Sequence, residues 1–424
     1  MSDKAPSASS TFLMTWRTPL IVILCGCAIS LITFGPRSAT GLFMQPVSDA
    51  NGWGRDVFAL AFAVQNLLWG LGQPIAGAIA DRFGTLRVLC GGALLYALGL
   101  VLMAHATTPL SFNITVGVLI GFGLSGCSFN LVVAALGKLV PENMRSFAFG
   151  AGTAAGSFGQ FLFAPLGAFL IDSYGWAIAL FVFAAAVLLV LPFSLALATK
   201  PADAKAAMTG ADAPQSLRQA LSEAFAHRSY VLLVLGFFTC GFQLAFVTAH
   251  LPAYLVDRGL SVQVGGWVIA TIGLFNIVGS LTAGWAATRM PKRYILSVLY
   301  LARAISITIF ITVPLSTTSA LLFGIATGLT WLSTVPPTSG LVALMFGTRW
   351  LAMLFGFAFF SHQVGGFLGV WLGGIAFETT GSYNLVWILS IAFGVASAII
   401  NLPIVEEPVN RPSVRAVPAA GTSS

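Results

Sequence analysis

Residues 77–87 read GAIADRFGTLR and residues 284–294 read GWAATRMPKRY. Each is a short polar passage between two long apolar blocks, and the two stand 207 residues apart. Asp172-Ser-Tyr-Gly175 faces Glu378-Thr-Thr-Gly381 at an offset of 206, and Pro46 faces Pro252 at 206. Three landmarks with nearly one spacing predict a duplicated unit. Parallel halves of this kind form carriers whose site lies between them at mid-depth in a membrane.

The surrounding composition supports a membrane chain. Of 424 residues, 57% are hydrophobic and 8% are charged, with mean hydropathy +0.92. Soluble domains carry about 25% charged residues, which excludes a soluble enzyme. Membrane β-barrel strands alternate apolar and polar residues, whereas here the apolar residues come in blocks. The expected fold class is an all-α membrane protein with twelve transmembrane helices in two pseudo-symmetric six-helix bundles.

Twelve blocks are long enough to span, given a need for about 20 apolar residues each. They lie near 19–45, 56–80, 87–105, 110–136, 146–171, 176–198, 230–255, 262–287, 293–313, 317–346, 350–377 and 384–404. The predicted domains are an N-terminal tail 1–18, a first bundle 19–198, a central loop 199–229, a second bundle 230–404 and a C-terminal tail 405–424. The run SLRQALSEAFAHRSY in the central loop has the polarity of an interfacial helix. The opening residues lack a cleavable leader pattern. With both ends cytoplasmic, 16 of 20 Lys and Arg fall in inner segments and only Arg55 and Arg258 in outer loops. The positive-inside rule therefore predicts that topology in a cell inner membrane.

The net charge of +7 arises from these loops and does not indicate nucleic-acid binding. The five cysteines lie in apolar stretches without metal-ligand spacing, so no metal or cofactor is expected. No P-loop, carboxylate pair or His/Cys cluster suggests an enzyme.

Gly77, Asp81, Arg82, Gly84 and Arg87, with their degenerate copy around Thr288, resemble the loop motif of the major facilitator superfamily. The resemblance covers essentially the whole chain. It implies the two-bundle fold and alternating access. It also implies a gating role for Gly77, Asp81, Arg82, Arg87 and Arg145, with Asp81 latching the cytoplasmic side; capping of a tight loop is the plainer role. Within that superfamily the chain looks most like the monocarboxylate-transporter and oxalate/formate-antiporter branch. Gly52-Trp53-Gly54-Arg55 and Pro36-Arg37-Ser38 carry this likeness. The branch's substrate arginine in span 8 is absent, where this chain has Asn276 and Ser280.

Charged groups inside a bilayer are costly and usually functional. No Asp or Glu falls in the middle of a span, and the embedded cations are Arg37 and Arg303. That inventory suits an anion. Arg37 is expected in the outer third of span 1 as an anion-binding residue, or else as an arginine snorkelling to the headgroups. Arg303 is either a brace onto span 8 or an inward-reaching replacement for the missing arginine. His362 is either a proton carrier beside the anion or a hydrogen-bonding bridge. His250 reads as a gate or brace near the outer end of span 7. Asn66, Trp69 and Gln73 share one helix face. Asn66, Gln160, Asn276 and Trp331 are candidate substrate contacts, with helix packing as the alternative. Pro336-Pro337 should break span 10. Gly150, Gly152, Gly156 and Gly159, and Gly356, Gly365, Gly366 and Gly369, should allow close helix contact.

The expected function is secondary active transport of a small organic, carboxylate-type anion, coupled to protons or by exchange, in a monomer. The alternatives are efflux of apolar drug-like compounds and, by class, a membrane sensor or membrane-embedded enzyme.

Overall fold

The computed structural model describes residues 16–199, 217–347 and 350–409. Twelve spans are present. Span 1 runs Pro19–Ser38 and continues through a 3-10 turn, Thr40–Phe43, into Met44–Asn51. Spans 2 and 3 are Arg55–Phe83 and Thr85–Met103. Span 4 occupies Pro109–Leu139 in several pieces, span 5 is Glu142–Tyr174, and span 6 is Trp176–Leu188 extended by Val190–Ser194. A short helix, Leu217–Ala226, lies before span 7, as the central-loop pattern predicts. Spans 7 to 9 are Arg228–Asp257, Val262–Ala286 and Lys292–Thr312. Span 10 comprises Thr317–Thr330 and Val335–Phe346; spans 11 and 12 are Leu351–Thr380 and Asn384–Asn401. Eleven of these helices are apolar enough to cross a membrane on hydropathy alone. Span 2 falls short because it carries Gln65, Asn66 and Gln73.

Each set of six spans buries its own apolar core. Phe43, Phe62, Tyr96 and Phe183 centre the first; Tyr230, Phe242, Tyr300 and Trp387 centre the second. Large apolar residues such as Leu94, Leu98, Val298 and Ile399 remain exposed on the outside, where a bilayer would cover them.

The duplication is visible in the backbone. Gly52 and Gly259 both have positive φ, at 65° and 85°, as do Gly175 and Gly381, at 84° and 67°. These turns demand glycine's left-handed freedom at matching places in each half. Spans 4 and 10 also break at matching depth. Span 10 is interrupted at residues 331–334, just before Pro336-Pro337, which supply no backbone N–H. Span 4 is interrupted at Cys127 and Ser128 without any proline. There Gly92 and Gly126 bring the backbones of spans 3 and 4 into direct contact, leaving no space for a Cβ.

The glycine series divide by depth, and the expected close helix contact is met at some positions and not at others. In span 5, Gly159 is pressed against the Leu31 carbonyl, whereas a Cβ on Gly150 would meet nothing within 4 Å. In span 11, Gly365 and Gly369 touch the backbone of span 7, whereas Gly356 faces open space. A Cβ at Gly77 of span 2 likewise meets nothing. Between the halves, Gly41 meets Thr248, Gly266 meets Ala164 and Gly374 meets Asp56, all toward the end away from the chain termini, so the halves are packed there and parted at the end that bears the termini.

Candidate functional site

The seam between the bundles is built from spans 1, 2 and 5 against 7, 8 and 11. At its closed end, Gly41 of span 1 abuts the Thr248 carbonyl of span 7. Beside it, Arg55 pairs with Asp257 through both guanidinium arms, each at 2.6 Å. Nη1 of Arg55 also donates to the Tyr383 hydroxyl at 3.0 Å, and the guanidinium lies 4.0 Å above the Phe377 ring. The Arg55 backbone N–H donates to Glu378 Oε1 at 2.7 Å. Gly54 offers span 2 no side-chain cap, so a carboxylate from the other half caps this helix and meets its positive end. Arg55–Asp257 is the sole salt bridge among the described residues. Sequence reading missed this cluster, because charges at the ends of two distant spans look like ordinary loop residues.

Below this closure lies Arg37, 6% exposed. Its Nη2 donates to Asn66 Oδ1 at 2.6 Å, and its guanidinium sits over Phe62 at 4.3 Å and Trp69 at 5.7 Å. Nε has no partner. Its burial excludes the snorkelling alternative, and it opens onto no outer vestibule. Asn66 is itself 2% exposed and donates to the Phe62 carbonyl. Trp69 lies edge-on to Phe359 of span 11, and its indole N–H is buried without an acceptor. Gln73 turns away to Ser128 and Asn130 of span 4, leaving the face it shares in sequence with Asn66.

His362 faces the same region from span 11. It is half-buried, stacks on Phe359 and packs against Phe237 of span 7. Nδ1 bonds Gln363 Oε1 at 3.0 Å, and Gln363 Nε2 donates to the Asn66 carbonyl at 3.0 Å, across the seam. Arg37, Asn66 and His362 are thus brought together. Gln363 joins them, a residue that sequence reading did not single out.

Arg303 lies elsewhere. At 1% exposure it donates to Gln243 Oε1 of span 7 at 3.1 Å, to the Trp331 carbonyl at 3.0 Å and to the Thr330 carbonyl. It braces the break in span 10 and not span 8, as had been expected, because the break frees the carbonyls it meets. Asn276 supports the same break. Its Oδ1 accepts the Leu332 N–H at 2.9 Å and its Nδ2 donates to Ser157 of span 5 at 2.8 Å. Gln160 donates to the Ile269 carbonyl at 3.0 Å. Both amides tie span 5 to span 8 across the seam. Trp331 is 3% exposed, inside the second bundle.

His250 is fully buried and bonds the Val370 carbonyl at 2.8 Å, linking spans 7 and 11 within one half. At the open end Arg82 and Arg87 are exposed, and Arg145 bonds the Val140 carbonyl at 3.3 Å. The Asp81 side chain lies outside the described residues.

Two helical bundles with polar groups gathered at mid-seam, sealed at one end and parted at the other, have the build of a transmembrane carrier. Residues 25–370 match the family described as Major Facilitator Superfamily, and the chain belongs to that family. It is 28% identical over 385 residues to the uncharacterized MFS-type transporter YcxA of Bacillus subtilis, covering 88% of this chain and 92% of that one. It is 25% identical over 397 residues to monocarboxylate transporter 13 of Rattus norvegicus, covering 90% and 88%. Among solved structures, the nucleoside transporter NupG superposes with a TM-score of 0.73 at 14% identity, over 90% of this chain and 99% of that one. The protein is a multi-pass membrane transporter, not an enzyme, and the fold is that of secondary carriers.

Proposed function

We propose that the protein carries small organic carboxylates by alternating access, in exchange or with a proton, and that Arg37 holds the carboxylate. One observation carries this reading. Arg37 is a buried cation with a single acceptor bond, an unpaired Nε and no acidic partner among the described residues. Stripping water from a guanidinium costs several kcal/mol unless other groups replace it. An incoming anion would complete that replacement, with Asn66 and the free indole N–H of Trp69 within the same wall. His362 is the titratable group beside this wall and the proposed proton carrier. The likeness to monocarboxylate transporters supports the same substrate class.

The excess of Lys and Arg in the segments at the terminal end supports a cytoplasmic location for both termini in a cell inner membrane. This conformation is then open to the cytoplasm. Asp81, Arg82, Arg87 and Arg145 would engage only when that end closes.

Uptake into proteoliposomes of labelled lactate, benzoate and succinate, with and without a pH gradient, tests the reading. Saturable carboxylate uptake is expected. Transport of neutral or cationic compounds alone would discard the anion assignment and favour efflux of apolar compounds.

A further inference from the structure

Adjacent residues on a helix point about 100° apart and do not face one another by default. His362 and Gln363 nevertheless bond, and the reason lies in the opposite half. Gln363 is 1% exposed, and its nitrogen faces the Asn66 carbonyl, which can only accept. This fixes the amide, so Oε1 is the atom turned to His362 Nδ1. An amide oxygen cannot donate, so Nδ1 must carry a proton. Nε2 is then the nitrogen that gains and loses one.

Asn66 in turn holds Arg37 through its side chain. One residue of the first bundle therefore supports both the candidate anion group and, through Gln363, the tautomer of the candidate proton group. The other groups around the imidazole are few. Span 7 brings the Cys240 thiol into hydrogen-bonding contact with the imidazole, and Arg303 of span 9 stands behind that thiol. Span 2 reaches it indirectly, through Trp69 against Phe359, the ring on which His362 stacks, and through Asn66, which binds Gln363 and Arg37.

We propose that Gln363 is a positioning residue for proton coupling: it clamps His362 as the Nδ1–H tautomer and ties that clamp to the half that holds Arg37. This rests on the carboxylate and proton reading above. The clamp leaves Nε2 as the nitrogen without a proton in the neutral ring. Because the Gln363-to-Asn66 bond crosses the seam, relative movement of the halves that stretches it also loosens the tautomer. Conformation and protonation are linked through that bond.

Two variants separate the bonds. Gln363→Met keeps the length of the side chain and removes both bonds. Gln363→Glu keeps an acceptor for Nδ1–H and loses the donor to Asn66. In protein labelled with ¹⁵N-histidine, with His362→Gln used for assignment, neutral His362 is expected as Nδ1–H in the wild type. It should become a tautomer mixture in Gln363→Met. In proteoliposomes, Gln363→Met should flatten the pH dependence of labelled lactate or benzoate uptake while sparing exchange. Gln363→Glu, which keeps an acceptor for Nδ1–H, should retain the Nδ1–H tautomer. An unchanged tautomer in Gln363→Met overturns the clamp. An unchanged pH profile there, with a pH-dependent wild type, overturns the coupling role of Gln363 alone. Wild-type uptake that ignores pH overturns proton coupling by His362 itself.

Discussion

Arg37 and Arg303 are both buried cations, one in each bundle, and they are held in opposite ways. Arg303 has three oxygen acceptors, two of them carbonyls released by a broken helix. Arg37 has one amide oxygen and two aromatic faces. The duplication sharpens the contrast. Gln243, the amide that receives Arg303, stands 206 residues after Arg37, the same offset that relates the halves. Between the repeats the cation has moved from the first helix of the unit to the third. There it meets three oxygen acceptors and only its Nε is left unpaired, whereas the cation left in span 1 meets one acceptor and also has an unpaired Nε. An arginine with three acceptors stabilises a fold, while one with a single acceptor is available to a ligand.

The sharpest way to break this comparison is Arg303→Met. It leaves two carbonyls and the Gln243 oxygen without their donor, at about 1–3 kcal/mol for each buried group stranded. Melting of the purified protein should fall by roughly 5–10 °C, taking a few degrees per kcal/mol. Carboxylate affinity of the surviving folded fraction should hold. Loss of affinity at unchanged stability would reverse the roles of the two arginines.

Arg37→Gln should do the converse. A charge-assisted hydrogen bond contributes about 1.5–3 kcal/mol, so apparent affinity for a carboxylate should fall roughly 10–100-fold. Thermal stability should change little. Competition uptake curves read the first and melting curves the second.

Asp257→Asn tests whether the closed end rests on its ion pair. The bridge is partly exposed, and such pairs contribute up to about 1 kcal/mol. The ratio of closed to open forms should shift by about fivefold. Spin-label distances across the mouth, between Asn51 and Leu260, measure it. An unchanged distribution would assign closure to the packing of Gly41 on Thr248 instead.

The smallest effect is expected in the other broken helix. Ser128 caps the second piece of span 4, accepting the Leu131 N–H, and donates to Gln73. Ser128→Ala should cost about 1 kcal/mol, as N-cap losses do, and should leave transport intact. A loss as large as that of Arg303→Met would show that the two breaks matter equally.

The spans and the duplication were legible because hydropathy over about 20 residues is a strong local signal. The break in span 10 was legible from Pro336-Pro337, but that in span 4 was not. It arises from close approach at Gly92 and Gly126, which no local pattern announces. Arg37, Asn66 and His362 stood out as polar residues in apolar runs, and the fold brings them together. Which neighbour a buried group meets was not legible. Arg303 reached span 10, and Asn276 and Gln160 became ties across the seam. Arg55, Asp257 and Glu378 were hidden for a different reason. They lie at span ends, where charge is unremarked, and up to 323 residues separate them.

The rim position of that last cluster has a consequence for the medium. Asp257 retains 26% of its side-chain exposure, so dissolved ions reach the pair. Exposed charges are screened over about 8 Å at physiological ionic strength and over about 3 Å at 1 M. The preference of the empty carrier for one side is then partly set by the salinity of the compartment that the rim faces. A brine-filled compartment would find the door less firmly shut than fresh water would.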